Sequence, residues 1–238
     1  MLLVFILCLR LAFQFLSWSF SPSRNPYLFK GLFNALSDGP RTFSSNPNIA
    51  GSIPILRSTN QDQGVEFTWS TWIHIKSLDY RKNKPKHIFH KGSPLLSSSG
   101  NQSQSPGLWI HPYDNTLIVK VDVHDQPTSE IEIPSIPLNK WINVMIRTQG
   151  KILDVFINGA IAQRQKLPNS VKQNYGDTYI LEDGGFDGEI SNLTYFSHAL
   201  NVSEILDIVN SGPNLARLGD AGAASYPPYL SLRWYFRQ

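Results

Sequence analysis

The sequence predicts an all-β protein, an antiparallel β-sandwich or barrel, and three observations carry that reading. The first is composition. The chain has 238 residues, 41% hydrophobic and 12% aromatic, with only 16% charged and with 16 Gly and 16 Pro scattered without a period. That profile fits a compact β-rich chain, long enough for one sizeable domain plus appendages. The second is rhythm: from Val65 onward short apolar runs recur about every 8–12 residues with turn residues between them. The third is one segment, K-W-I-N-V-M-I-R-T-Q-G-K-I-L-D-V-F-I-N-G, Lys140–Gly159. Ile142, Val144 and Ile146 alternate on one face of a first strand, and Leu153, Val155 and Ile157 do so on a second. A fold about Gln149-Gly150 pairs 146 with 153, 144 with 155 and 142 with 157, all apolar. The opposite, solvent-facing side then pairs Met145 with Asp154, Asn143 with Phe156 and Trp141 with Asn158. Asn158-Gly159 supplies a second tight turn into Ala160–Gln165, which makes a three-stranded meander.

The other elements follow in chain order. Residues 1–20, MLLVFILCLRLAFQFLSWSF, form a hydrophobic helix with the length of a membrane span. Arg10 sits in its middle, at a cost of roughly 2.5–3.5 kcal/mol on insertion scales, which the surrounding Leu, Ile and Phe offset. Three readings stay open: a membrane anchor, a signal peptide cleaved near Ser17-Trp18-Ser19 that would make the chain secreted, and a helix packed on a protein partner. Residues 21–64, punctuated by Pro22, Pro26, Pro40, Pro47 and Pro54, read as a Pro/Ser-rich connector with a short amphipathic turn over Leu28–Leu36. Strands are expected over Val65–Ile75, His87–His90, Gly107–His111, Thr116–Val123, Glu130–Ile133, Trp141–Arg147, Ile152–Ile157, Ala160–Gln165, Asp177–Leu181 and Gly188–Phe196. Asn201 with Glu204 three residues on makes a capping box, Leu206 and Val209 follow at helical spacing, and Gly212-Pro213 stop the helix. The tail 214–238 holds Tyr229, Leu232, Trp234 and Phe236, apolar surface that predicts docking on its own domain or on a protein neighbour.

Charge and cysteine narrow the class. The net charge is +3, but residues 65–213 carry thirteen basic against fifteen acidic side chains. The domain therefore has no overall basic face, and nucleic acid is not an expected partner. The one concentrated basic stretch, Y-R-K-N-K-P-K, places Arg81, Lys82, Lys84 and Lys86 together, with Lys91 nearby. It fits an anionic membrane, a glycan or an acidic protein surface, or is a plain solvated loop. The single cysteine, Cys8, lies in the apolar N-terminus, so the folded part has no disulfide and leans towards a reducing compartment.

At W-I-N-V-M-I-R followed by I-L-D-V-F-I-N-G the chain resembles the signature hairpin of laminin-G-like domains in the concanavalin A-like lectin/glucanase superfamily. F-T-W-S-T-W-I-H-I (67–75), H-I-F-H-K-G (87–92), P-G-L-W-I-H (106–111) and G-G-F-D-G-E-I-S-N-L-T-Y-F (184–196) follow in family order. The resemblance covers roughly 65–213 and implies a jelly-roll sandwich of two antiparallel sheets. The family usually has Asp soon after the Gly of its closing strand, where this chain has Gly188 followed by Glu189, Ile190 and Ser191. Relatives hold Ca²⁺ at the sandwich rim, which makes Asp183 and Asp187, and Asp122 with Asp125, candidate ligands.

The superfamily includes enzymes, lectins and adhesive modules, so its fold does not choose among them. Its glucanases use E-x-D-x-E on one strand, a string absent here. Glu130 and Glu132 share a strand face but lack the third carboxylate, and read as a solvent-facing pair. Other catalytic motifs are missing too. His87 and His90, three apart on a strand, are expected on opposite faces. The chain is read as not an enzyme. For sugar recognition the best cluster is Trp109, His111, Tyr113, Asp114 and Asn115, with an aromatic face to stack on a pyranose and Asp and Asn for its hydroxyls. The plainer alternative puts Trp109 in the core and Asp114-Asn115 in a turn. The sequence thus points to a membrane-tethered recognition or scaffold protein. The blocks I-F-H-K-G, L-D-V-F-I-N-G and S-G-P-N look like the single-domain versions of large DNA viruses, implying a virion structural, minor capsid component. A glycan-binding lectin and a degenerate glycoside hydrolase are the alternatives.

Overall fold

In the computed structural model, which describes residues 2–19, 22–62, 64–95, 103–125 and 128–217, helix α1 (Leu2–Ser19) comes first. It is followed by β1 (Tyr27–Asn34), β2 (Arg41–Phe43), β3 (Thr59–Gln61), β4 (Gly64–Ser77), β5 (Lys86–Gly92), β6 (Gln104–Ile110), β7 (Leu117–Val121) and β8 (Ser129–Ile133). Then come β9 (Trp141–Gln149), β10 (Ile152–Ile157), β11 (Ala160–Lys166), β12 (Asp177–Ile180), β13 (Asp187–Phe196) and helix α2 (Val202–Ser211). The strands form two antiparallel sheets. One runs β1-β13-β4-β9-β10-β11, with β3 added beside the start of β4; the other runs β2-β12-β5-β6-β7-β8. Their inner faces enclose one core that includes Trp69, Ile73, Phe89, Leu108, Val119, Val144, Val155, Phe186 and Leu193. The predicted all-β sandwich with a short C-terminal helix is therefore what forms. All ten expected strands are present, and α2 starts with the expected capping box: Asn201 Oδ1 accepts from the Glu204 N–H, and Glu204 Oε2 from the Asn201 N–H.

The Lys140–Gly159 hairpin holds with one correction. Ile152 faces Gln149, Val155 faces Ile146 and Ile157 faces Val144, so the pairing lies two residues from the predicted one. The turn is Gly150-Lys151, with Gly150 at φ 61 in the first central position that favours glycine. A slip of two keeps every side chain on its face, which is why the apolar pattern cannot distinguish the two registers. The outer-face partners change accordingly: Met145 meets Phe156, and Asp154 meets Arg147. That face is also not open to solvent. Met145 and Phe156 form a second small core with Leu200 and Ile205, so α2 lies over it. The second turn is as expected, with Asn158 (φ 50) and Gly159 (φ 82) both left-handed, as a two-residue hairpin turn of type I′ requires.

Residues 21–64 are not simply a connector. Strand β1 pairs with β13 as a sheet edge, β2 pairs with β12, and β3 pairs with β4. Leu28, Phe29 and Phe33 belong to the main core. The sequence pattern does not show this strand because bulges between Tyr27 and Phe29 and between Phe29 and Leu32, around Gly31 at φ 133, break the alternation. The tail residues Tyr229, Leu232, Trp234 and Phe236 lie outside the described residues.

Helix α1 exposes Val4, Phe5, Leu7, Leu11 and Phe13. Its 18 residues span about 27 Å at ~1.5 Å each, against about 30 Å of hydrocarbon in a bilayer. Among the described residues no helix is long and apolar enough to cross a membrane.

Removing the cap or the contact beneath α2 separates local from tertiary stabilisation. Asn201→Ala should cost about 0.5–2 kcal/mol in urea unfolding. Ile205→Ala, at a buried position, should cost about 2–5 kcal/mol. An Ile205→Ala loss no larger than that of a surface substitution would show that α2 does not depend on this face.

Candidate functional site

The expected sugar cluster is not assembled around a free aromatic face. Trp109 is buried; its Nε1–H donates to Gln104 Oε1 at 2.9 Å, and its ring meets His87 edge-on at 4.6 Å. His111 Nδ1 lies 2.9 Å from Asp114 Oδ1, and the Asn115 amide is spent on the Ile136 carbonyl at 2.8 Å. Only Tyr113 and Asp114 are open to solvent. The plainer reading of this stretch, a core Trp followed by a turn, is what the chain adopts.

His87 and His90 correct a second expectation. A bulge between His87 and Phe89 turns both rings to the same side of β5, and His90 Nδ1 sits 2.8 Å from His87 Nε2. The hydrogen bonds at either end determine the tautomers. The Glu182 N–H donates to His87 Nδ1 at 2.9 Å, so the His87 proton is on Nε2 and points at His90 Nδ1. His90 therefore carries its proton on Nε2, which donates to the Ser93 carbonyl at 2.9 Å. Tyr179 stacks on His90 at 5.0 Å, and Glu182 Oε2 is 4.0 Å from its Nδ1. Both rings are fully buried. Burial, and for His87 the neighbouring His90 as well, holds His87 well below the ordinary histidine range; burial lowers His90 too, against the opposing pull of the Ser93 carbonyl. Neutral rings suit this chain of bonds, and a proton on His87 Nδ1 would face the Glu182 N–H. On the same strand Lys91 donates to Ser45 Oγ at 3.3 Å and to the Gly176 carbonyl, and burial lowers its amine to about 8 despite Asp177.

The proposed Ca²⁺ ligands sit apart and are largely occupied. Asp122 accepts from Ser103 Oγ (2.6 Å), the Gln104 N–H (3.0 Å) and Thr128 Oγ1 (2.9 Å), while Asp125 is an exposed left-handed turn residue. Asp183 is ion-paired with Arg81 at 2.7 Å, and Asp187 opens β13. Among the described residues no group of three His, Cys, Asp or Glu side chains is placed to hold a metal ion. The basic loop divides: Lys82 and Lys84 are exposed, Arg81 turns in to Asp183, and Lys86 is buried, so only part of the expected patch faces solvent.

A groove absent from the sequence reading lies on the outer face of the larger sheet, where α2 meets it. It has a volume of about 170 Å³, and Tyr27, Trp72, Asn192, Phe196, Asp207 and Ser211 line it. Farther along β4 on the same face His74 stacks on Trp141 at 5.3 Å, with Glu189 3.5 Å from His74 and 3.2 Å from Lys76. Trp72 and Trp141 were legible as aromatic strand residues. Their neighbours are brought there by α2 and by the β13 bulge between Ser191 and Thr194.

Because the two histidines are buried neutral, the unfolded chain takes up protons that the folded one refuses. Their contribution is fully present above about pH 6.5 and is lost as pH falls from there towards their depressed folded values. Unfolding free energy should therefore begin to decline as pH falls below about 6.5. His87→Gln keeps one acceptor and one donor but cannot be protonated, so it should flatten the decline; an unchanged pH profile would refute the assignment.

Residues 50–206, more than half of the chain, match the laminin-G type described as concanavalin A-like lectin/glucanases superfamily. The binding domain of Paraclostridial Mosquitocidal Protein 1 has a similar structure, with a TM-score of 0.54 and 15% identity over 80% of this chain and 46% of that one. The botulinum neurotoxin serotype D binding domain gives 0.48 and 17% identity over 61% of this chain and 37% of that one. The chain spans less than half the length of either domain, and its likeness to the mosquitocidal protein's binding domain is one of fold. No curated protein matches it. On that match over residues 50–206, with the two-sheet sandwich it describes, the chain belongs to the concanavalin A-like lectin/glucanase superfamily.

Proposed function

We propose that the chain is a non-enzymatic recognition or scaffold module anchored to a membrane by α1. The observation that carries this is the exposed apolar surface of α1, from Val4 to Leu16, ahead of a sandwich that closes on its own core. An apolar helix of this kind is stable when lipid or another protein covers it, and Arg10 can extend its charged end to the interface. For the sandwich, binding is the role carried over from the toxin binding domain that shares its fold. Glu130 and Glu132 support a non-catalytic reading: both are exposed on the edge strand β8, and Glu130 is held by Lys120 at 2.7 Å. The further reading is a virion structural component, a minor capsid protein of the single-domain type encoded by large DNA viruses. It would sit beside an inner membrane among protein neighbours, and a folded part without cysteine suits cytosolic assembly.

A second reading, saccharide recognition, is favoured by the groove at Trp72 and the Trp141–His74 platform, where aromatic faces lie beside Asp207, Asn192 and Glu189.

Flotation with phosphatidylcholine vesicles tests the anchor. The full chain should float at high salt. Leu7→Glu combined with Leu11→Glu should stay at the bottom of the gradient with an unchanged thermal transition. Equal flotation of both chains would sink the anchor, and a glycan array read with wild type and Trp141→Ala separates the saccharide reading from it.

A further inference from the structure

Among the described residues, two buried cationic atoms at one end of the sandwich have no acceptor. Lys86 is 0% exposed and stands opposite Ile110 in the β5–β6 ladder. Opposed residues share a face, and Ile110 is core, so the Lys86 side chain enters between the sheets. Its Nζ has no hydrogen-bond partner. Arg81, in the turn that leads into β5, spends Nη2 on Asp183, while its Nη1 is buried and unpartnered. The Lys84 N–H donates to the Arg81 carbonyl at 3.1 Å, closing the turn that sets Arg81 next to the start of β5 at Lys86; burial first and the Arg81 charge second lower the Lys86 amine. An ammonium taken out of water without an opposite charge is among the costlier features a fold can hold, and native structures keep such groups for a reason.

The surrounding loops hold both groups in place. Arg81, Asn83 and Asp183 adopt φ of 50, 64 and 51, a region that non-glycine residues seldom occupy. Gly184 lies against the guanidinium: a Cβ there would come within 3.2 Å of Arg81 Cδ and Nη1. The Tyr80 hydroxyl donates to the Gly184 carbonyl at 3.1 Å, tying the two loops together. Asp183 answers one edge of the guanidinium, and among the described residues nothing answers Lys86.

We propose that Lys86 Nζ and Arg81 Nη1 together bind a small oxyanion, a sulphate, phosphate or carboxylate group, at this end of the sandwich. The guanidinium offers a directed N–H and the ammonium a compact charge, a pairing suited to an oxygen-rich anion. The exposed Lys82 and Lys84 on the same turn raise the local potential and draw an anion in. The site is independent of the α1 anchor and of the groove beside α2, and it gives the recognition module a charged contact that neither of those supplies.

Thermal unfolding of the full chain in sodium sulphate, phosphate or acetate, each against sodium chloride at equal ionic strength, tests it. At least one oxyanion should raise Tm beyond chloride and saturate at millimolar concentration. Lys86→Met should abolish that rise while leaving Tm in chloride equal or higher, because it removes an unmatched buried charge. Arg81→Gln should weaken the rise. A shift no greater than that of chloride, a non-saturating rise shared by Lys86→Met, which is the general salting effect, or a response retained in Lys86→Met would each overturn the site. Galactose 6-sulphate and a short-chain phosphatidic acid then identify the source: tighter binding of one than of the inorganic ion assigns a glycan-borne or a lipid-borne group, and equal binding assigns the free ion.

Discussion

Trp69 is the residue on which the two sheets are hung. It sits in β4, which pairs with β13 on one side and β9 on the other, and its indole packs 5.6 Å from Phe89 of the opposite sheet and 5.2 Å from Tyr195. Tyr195 in turn donates its hydroxyl to the Leu56 carbonyl at 3.1 Å, which ties down the crossing segment before β3. Burial of that Tyr in apolar surroundings pushes its hydroxyl far above the ordinary tyrosine value, so it stays a neutral donor. Two aromatic contacts and one hydrogen bond thus couple both sheets and a loop. The strands alternate around it because only alternation fills a core from two sides.

Both sheets are also covered on their outer faces, and this decides where chemistry can happen. On the larger sheet α2 covers Met145 and Phe156, and on the same face Asp154, 1% exposed, is gripped by Arg147 at 2.7 Å and by Arg164 at 2.6 Å, while Arg147 lies 4.8 Å over the Phe156 ring. The carboxyl is held below its usual range because these two cations outweigh its burial. On the smaller sheet the histidine pair, Trp109 and Tyr179 form the equivalent layer. Most polar groups of these layers are spent on one another, with the Arg147 Nε left over. Open or apolar surface is left at the groove beside α2 and along α1.

Much of this was legible in residues. Ten strands, the Asn158-Gly159 turn of the meander and the capping box of α2 follow from local rules, since alternation, Asn-Gly and Asn-x-x-Glu act over a few positions. What failed did so at bulges. The β1 run Y-L-F-K-G-L-F-N loses its period at Gly31, and the His87–His90 pair changes sides because one inserted residue reverses the faces of a strand. The hairpin register slipped by two for the opposite reason: a period of two is blind to such a shift, and only the conformation of Gly150 chooses. Of the candidate sites, the basic loop was visible as a charge run. That Lys86 points inward depends on its opposition to Ile110, a partner 24 positions away in sequence.

By itself the sequence determined the class of fold, the core faces of its strands, the apolar α1 and the lack of a glucanase carboxylate string, because each of these is written in short-range pattern and composition. Tertiary structure decided the rest: which aromatics are spent in the interior, which histidines meet, and which cations are left without a counter-charge. Those depend on pairings between distant segments, where the cost of a buried polar group is set by whatever the opposite strand or loop brings to it.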